Sequence, residues 1–344
     1  MPAPAERPAS GRAHVWRRVV TLVVVAAVLW ALFSLGSQVD WPAVGDALGT
    51  LPWWSPPILV ALLLLRQLLS SAPLARVVEG LGWKRALHNE MSANLVATLA
   101  PPPSDLVLRV GMFRSWGIDP VEGMAGVTLT TVVFWGVRFL APVLGLGVVA
   151  IRGVERHEWW FAVGSLAIAA AILVALTLVV RSERWAHTLG HLGARIVTRF
   201  GRPADGAVWA AAVGDFRSRV SASYRRHLMP SIALGLGGVV AEALIVLASL
   251  RLVGVGASLS AVEIVGVFLL LYPLTILPFL GLGVLDAALI AAWLTDTPAV
   301  PEATLVAGTL VWRAVSLGGT LAIGALSLAW WRWSTRRSAA SARG

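Results

Sequence analysis

Pro278-Phe279-Leu280-Gly281-Leu282-Gly283-Val284-Leu285-Asp286 interrupts a hydrophobic run that extends from Ala261 to Leu294. The run has 34 residues, more than one simple membrane span needs and fewer than two would use. Pro273 and Pro278 each remove a backbone donor, and Gly281 and Gly283 loosen the chain. The pattern predicts a helix that enters the bilayer, breaks, and returns as a short helix from Val284 to Leu294. Broken backbone at membrane depth survives only where protein or a water-filled cavity satisfies it. Asp286 opens the returning helix, where the positive end of the helix dipole favours a carboxylate. A broken, charged hairpin of this kind is a pattern of transport sites.

Composition agrees with a membrane setting. Of 344 residues, 57% are hydrophobic and 13% charged, and mean hydropathy is +0.77. That describes an all-α, polytopic membrane bundle and leaves no soluble domain of useful size. The net charge of +10 does not point to nucleic acid, because the basic residues cluster in short loops and tails between spans. The chain has no cysteine, which excludes disulfides and thiolate metal sites. No Walker, GxSxG or HExxH motif occurs, so ATP-driven transport within the chain and common hydrolytic mechanisms lack support. His187 and His191 have metal-compatible spacing but no evident third ligand, so no metal and no cofactor is expected.

Taken in order, residues 1–16 read as a disordered cytoplasmic tail, followed by a first span from Val19 to Leu35. Trp53 and Trp54 mark the interface at which a second span begins, carrying Arg66 near its middle. Leu87 to Val110 is a weak segment interrupted by Pro101-Pro102-Pro103-Ser104-Asp105 and followed by Arg109. Three consecutive prolines cannot continue a helix, so this reads as a second broken hairpin. The next span, Met124 to Ile151, carries Arg138 and a kinking Pro142. A further span ends at Val180. Residues 181–229 hold nine arginines and read as a cytoplasmic amphipathic linker broken near Gly201-Arg202-Pro203. A span from Pro230 to Leu250 carries Glu242, the Ala261–Leu294 hairpin follows, and a last span from Ala303 to Trp331 carries Arg313. Residues 332–344 form a basic cytoplasmic tail. In this topology 22 of the 28 basic residues are cytoplasmic, which puts both termini in the cytoplasm of a plasma-membrane protein.

The expected architecture is about six full spans plus two broken hairpins in an inverted repeat. Residues 17–180 form the first membrane repeat and residues 230–331 the second. The first hairpin opens from the cytoplasm, the second from the outer face. Pro103 to Arg138 and Pro278 to Arg313 are both separated by 35 positions. Arg66 and Glu242 occupy matching spans. Such repeats place a transport site between their halves, near the midplane.

At these residues the chain resembles the lysylphosphatidylglycerol synthase transmembrane (flippase-like) family. Gly281-Leu282-Gly283-Val284-Leu285-Asp286 matches the latter part of that family's Pro-Gly-Gly-x-Gly-x-x-Glu motif, with Asp286 where Glu is usual and Phe279-Leu280 in place of Pro-Gly. Asn94, Pro101-Pro102-Pro103-Ser104-Asp105 and Arg109 resemble the family's first hairpin, with Ser104 where Gly is common. The resemblance covers roughly residues 20–330. In bifunctional relatives a soluble aminoacyl-transferase domain follows. Here 13 residues follow Trp331, so the resemblance implies the translocating module alone.

A charge at mid-bilayer costs about 2.5–3.5 kcal/mol on insertion scales, so five would cost on the order of 10 kcal/mol unless paired or hydrated. Arg66, Arg138, Glu242, Asp286 and Arg313 therefore read either as a hydrated headgroup site or as structural pairs, Arg66–Glu242 and Arg313–Asp286. Arg109 reads equally as a headgroup contact or as a snorkelling interfacial side chain. The expected function is translocation of an anionic or aminoacylated phospholipid, or a polyprenyl-phosphate-linked glycolipid. Arginines would hold phosphate, and Glu242 and Asp286 would meet a cationic headgroup or carry protons. The alternatives are an integral-membrane enzyme acting on a lipid headgroup, and a non-transporting partner of a separate transferase.

Overall fold

The computed structural model describes residues 41–100, 103–150, 206–256, 258–277, 281–296 and 300–341, with scattered positions between 163 and 188. All regular structure among them is helical. The expected span Val19–Leu35, most of the span ending at Val180, and the positions Pro101, Pro102, Pro278, His187 and His191 lie outside the described residues.

Four helical stretches among the described residues are long and apolar enough to cross a membrane: Ser55–Val77, Pro120–Val149, His227–Leu252 and Glu302–Arg337. They coincide with four of the six expected spans. Helix α1 (Trp41–Gly49) precedes them. Its Val44 and Ala47 recur at helical spacing and both are buried. Helix α2 (Ser55–Val77) shows the division of faces that a bilayer imposes. Leu59, Leu63, Gln67, Ser71 and Leu74 are buried, whereas Ile58, Val60, Leu64, Leu65 and Leu68 are exposed. In lipid, exposed leucine and isoleucine need no explanation, and it is the buried polar face that specifies packing.

Helix α3 (Gly82–Leu99) ends at Ala100 in extended backbone, and α4 (Ser104–Ser115) starts after Pro103. The chain therefore breaks where the proline run demands it. Asp119 caps α5 (Pro120–Val149) by accepting a hydrogen bond from the Val121 amide at 3.0 Å, and Pro120 occupies the first turn, where its missing donor costs nothing.

Helix α6 runs without interruption from Gly206 to Leu252, over 47 residues. The last part of the expected linker and the following span are thus one helix, with Pro230 inside it and the span itself from His227 to Leu252. The proline run at 101–103 stops a helix; a single proline does not.

Helix α7 (Ala261–Leu271) opens with a capping box between Ser260 and Glu263, and tightens into a 3-10 turn over Tyr272–Ile276. Helix α8 (Val284–Asp296) follows two glycines at positive φ, Gly281 at 73° and Gly283 at 83°. Those angles are strained for any residue with a Cβ. Helix α9 (Glu302–Arg313) passes through a π-helical turn, Ala314–Gly319, into α10 (Thr320–Ser341). The segment expected as a basic tail thus begins as the end of α10.

Packing between the halves is reciprocal. The span after the first hairpin, α5, packs against the second hairpin's α7, and the span after the second hairpin, ending in α10, packs against the first hairpin's α3. Each contact uses a glycine. A Cβ on Gly145 of α5 would sit 2.8 Å from the Leu270 amide nitrogen, and one on Gly324 of α10 would sit 2.6 Å from the Met91 carbonyl. The matching spans α2 and α6 pack on each other, where Gly238 meets Ser70.

Candidate functional site: a buried arginine and aromatic cluster between the halves

The six charged residues singled out above fall into four arrangements. Arg66 of α2 reaches Glu242 of α6, with Nε 2.5 Å from Oε2. Glu242 is buried, and its other oxygen accepts a hydrogen bond from Trp312 Nε1 at 2.7 Å. Arg66 Nη1 also donates to Thr320 Oγ1, as does Gln67 Nε2 at 2.6 Å. The π-helical turn offsets the register of the last span just before Thr320, and π-bulges are frequent at functional positions.

Arg313 meets Asp286 through Nε and Oδ1 at 2.7 Å, and its guanidinium lies 4.2 Å from the centre of the Trp312 ring. Asp286 Oδ2 accepts from the Gly283 amide at 2.7 Å. The carboxylate thus caps the first turn of α8, the place its sequence position indicated.

Arg109 is buried, not snorkelling. It makes a forked contact to Glu90 at 3.0 and 2.9 Å, and donates to Asn89 Oδ1 at 2.6 Å. This network closes the first hairpin, α3 against α4, and stands apart from the other charges.

Arg138 is different. It is 5% exposed. Its guanidinium sits over Phe134 at 4.7 Å and Trp135 at 4.9 Å, both from its own helix. Among the described residues no carboxylate pairs with it, and its Nε is buried without an acceptor. Buried Tyr272, in the 3-10 turn of the second hairpin, lies within electrostatic range of Arg138, Arg66 and Glu242. Phe268 bridges Tyr272 and Trp312 by edge-on ring contacts at 5.6 and 5.5 Å. One aromatic chain, Tyr272–Phe268–Trp312, therefore leads from the second hairpin to the Arg66–Glu242 pair.

Sequence reading found the six charges but not the groups that organise them. Glu90, Asn89, Gln67, Trp312 and Thr320 sit on helices where a polar residue reads as a solvated face. The signal that could have found them is the charge balance of each hairpin: a buried arginine implies an acid within reach.

Residues 18–324 match the family model described as lysylphosphatidylglycerol synthase TM region. The match covers most of the chain, and the protein belongs to that family. It is a membrane protein with a lipid-related module. No curated protein matches it.

Proposed function

We propose that this member of the lysylphosphatidylglycerol synthase TM-region family moves a lipid with an anionic headgroup between leaflets, through the interface of its two repeats. One observation carries the reading: Arg138 is a buried cation with aromatic neighbours and no carboxylate among the described residues. An uncompensated buried charge is costly, and such residues in membrane segments mark substrate paths. Guanidinium is matched best by a phosphate, which accepts two parallel hydrogen bonds. Arg66 and Arg313, already held by acids, flank this place as exchangeable contacts. Their carboxylates can meet a cationic headgroup substituent when the arginines turn to phosphate. The two hairpins open in alternation, one toward the cytoplasm and one outward, in a plasma-membrane topology with both termini inside.

A headgroup-modifying enzyme is served less well by this geometry. Both oxygens of Glu242 and both of Asp286 are occupied, so neither is free to act as a general base. The test is reconstitution into liposomes with a fluorescent anionic phospholipid in both leaflets and dithionite quenching from outside. Wild type is expected to quench beyond the outer-leaflet fraction, and Arg138→Ala to behave like protein-free vesicles. Equal quenching by wild type and Arg138→Ala would overturn the assignment of Arg138, and no quenching by wild type across anionic and aminoacylated lipids would overturn the function.

A further inference from the structure

A polar cavity of about 630 Å³ lies away from the arginine cluster, where α3, the end of α4 and α10 meet. Lys84, Arg85, His88, Trp116, Trp330 and Trp331 line it, with no Asp or Glu among the described residues. The proposed translocation path does not use it.

Its chemistry is strongly one-sided. Lys84 and Arg85 stand in the first turn of α3, which has no acidic residue and no side-chain cap. Cations at a helix N-terminus oppose the helix dipole, so this corner concentrates positive potential from both sources. Arg85 lies over the Trp116 ring at 6.0 Å, facing the cavity wall. His88 also lines the wall, and its Nδ1 is buried without a partner. Ser115 and Trp331 are tied by a 2.9 Å hydrogen bond from Trp331 Nε1 to Ser115 Oγ, which fixes the wall between α4 and α10.

The outer surface of α10 identifies what fills it. Leu326, Trp330, Trp333 and Arg337 recur at helical spacing and all four are exposed, Leu326 at 72%. The Trp330 and Trp333 rings lie 5.3 Å apart, tilted by 48°, and the Arg337 guanidinium covers Trp333 at 3.6 Å. An apolar stripe that passes through tryptophans to a cation follows the gradient from acyl chain to headgroup. Trp330 belongs to both the stripe and the cavity. A soluble anion would use the cavity alone, whereas a lipid uses both.

We infer that this cavity is a headgroup site for an anionic phospholipid at the membrane boundary, with one acyl chain lying along the Leu326–Trp330 stripe. It is separate from Arg138 and stands whether or not translocation does.

The test is native mass spectrometry of the full-length protein in detergent, titrated with dioctanoyl phosphatidic acid, dioctanoyl phosphatidylcholine or inorganic phosphate. Wild type is expected to bind the anionic lipid at least tenfold more tightly than the zwitterionic one. Lys84→Ala with Arg85→Ala lowers that preference several-fold, the remainder belonging to Arg138, and Trp330→Ala weakens the lipid several-fold. Lys84, Arg85 and Trp330 are exposed, and an unchanged melting temperature verifies that the variants fold. Unchanged preference in the double variant overturns the site. Displacement of the lipid by equimolar inorganic phosphate, or indifference to Trp330→Ala, overturns its assignment to a lipid.

Discussion

Arg138 and Arg66 are chemically identical and differently placed, and that difference can be measured. Arg66 is neutralised by Glu242, so removing the acid alone strands a half-buried cation, at a cost of about 1–3 kcal/mol once its partial exposure is allowed for. Glu242→Ala should therefore lower thermal stability in detergent sharply, and Arg66→Met combined with Glu242→Gln should recover most of the loss. The glutamine still accepts from Trp312. Removing Arg138 strands nothing among the described residues, so Arg138→Ala should leave stability unchanged or raised while transport is lost. His88 gives a third expectation. Burial holds its imidazole below the ordinary histidine value of 6.5. As pH falls, the unfolded chain takes the proton first, so stability is full above that value and declines below it. His88→Gln should flatten the decline between pH 7 and pH 5, read by thermal unfolding. The charges of the site were legible in the sequence because isolated Arg, Glu and Asp stand out in apolar runs. Their partners were not. Whether Arg109 meets water or Glu90 depends on how α3 and α4 close, which no local pattern specifies.

Helix breaks were the most legible elements. Pro101–Pro103 and the Pro278–Gly283 segment carry local chemistry that cannot continue a helix, and the flanking helices stop on either side. The continuous helix from Gly206 to Leu252 was not legible, because a single proline and a change from polar to apolar composition look like a boundary. The π-helical turn at Ala314–Gly319 has no sequence signature either. The close approaches between elements are tests in themselves. Gly324→Val drives a side chain into the Met91 carbonyl and Leu95, and such overpacking costs about 1–3 kcal/mol. Gly318→Ala, six positions away with nothing within 4 Å, should be nearly neutral. If both substitutions shift the unfolding temperature equally, the contact between α10 and the first hairpin is not the one described.

At the scale of the molecule, the two hairpins exchange contacts: each leans on the span that follows the other, and α2 and α6 meet through Arg66 and Glu242. The proposed path lies between them, with Arg138 at its centre. Because the chain has no cysteine, Arg138→Cys gives a single reporter there. The most direct measurement is modification of that cysteine in proteoliposomes by a membrane-impermeant methanethiosulfonate reagent, applied from each side in turn. A centre that opens alternately to both faces predicts labelling from either side. Labelling from neither side would contradict it.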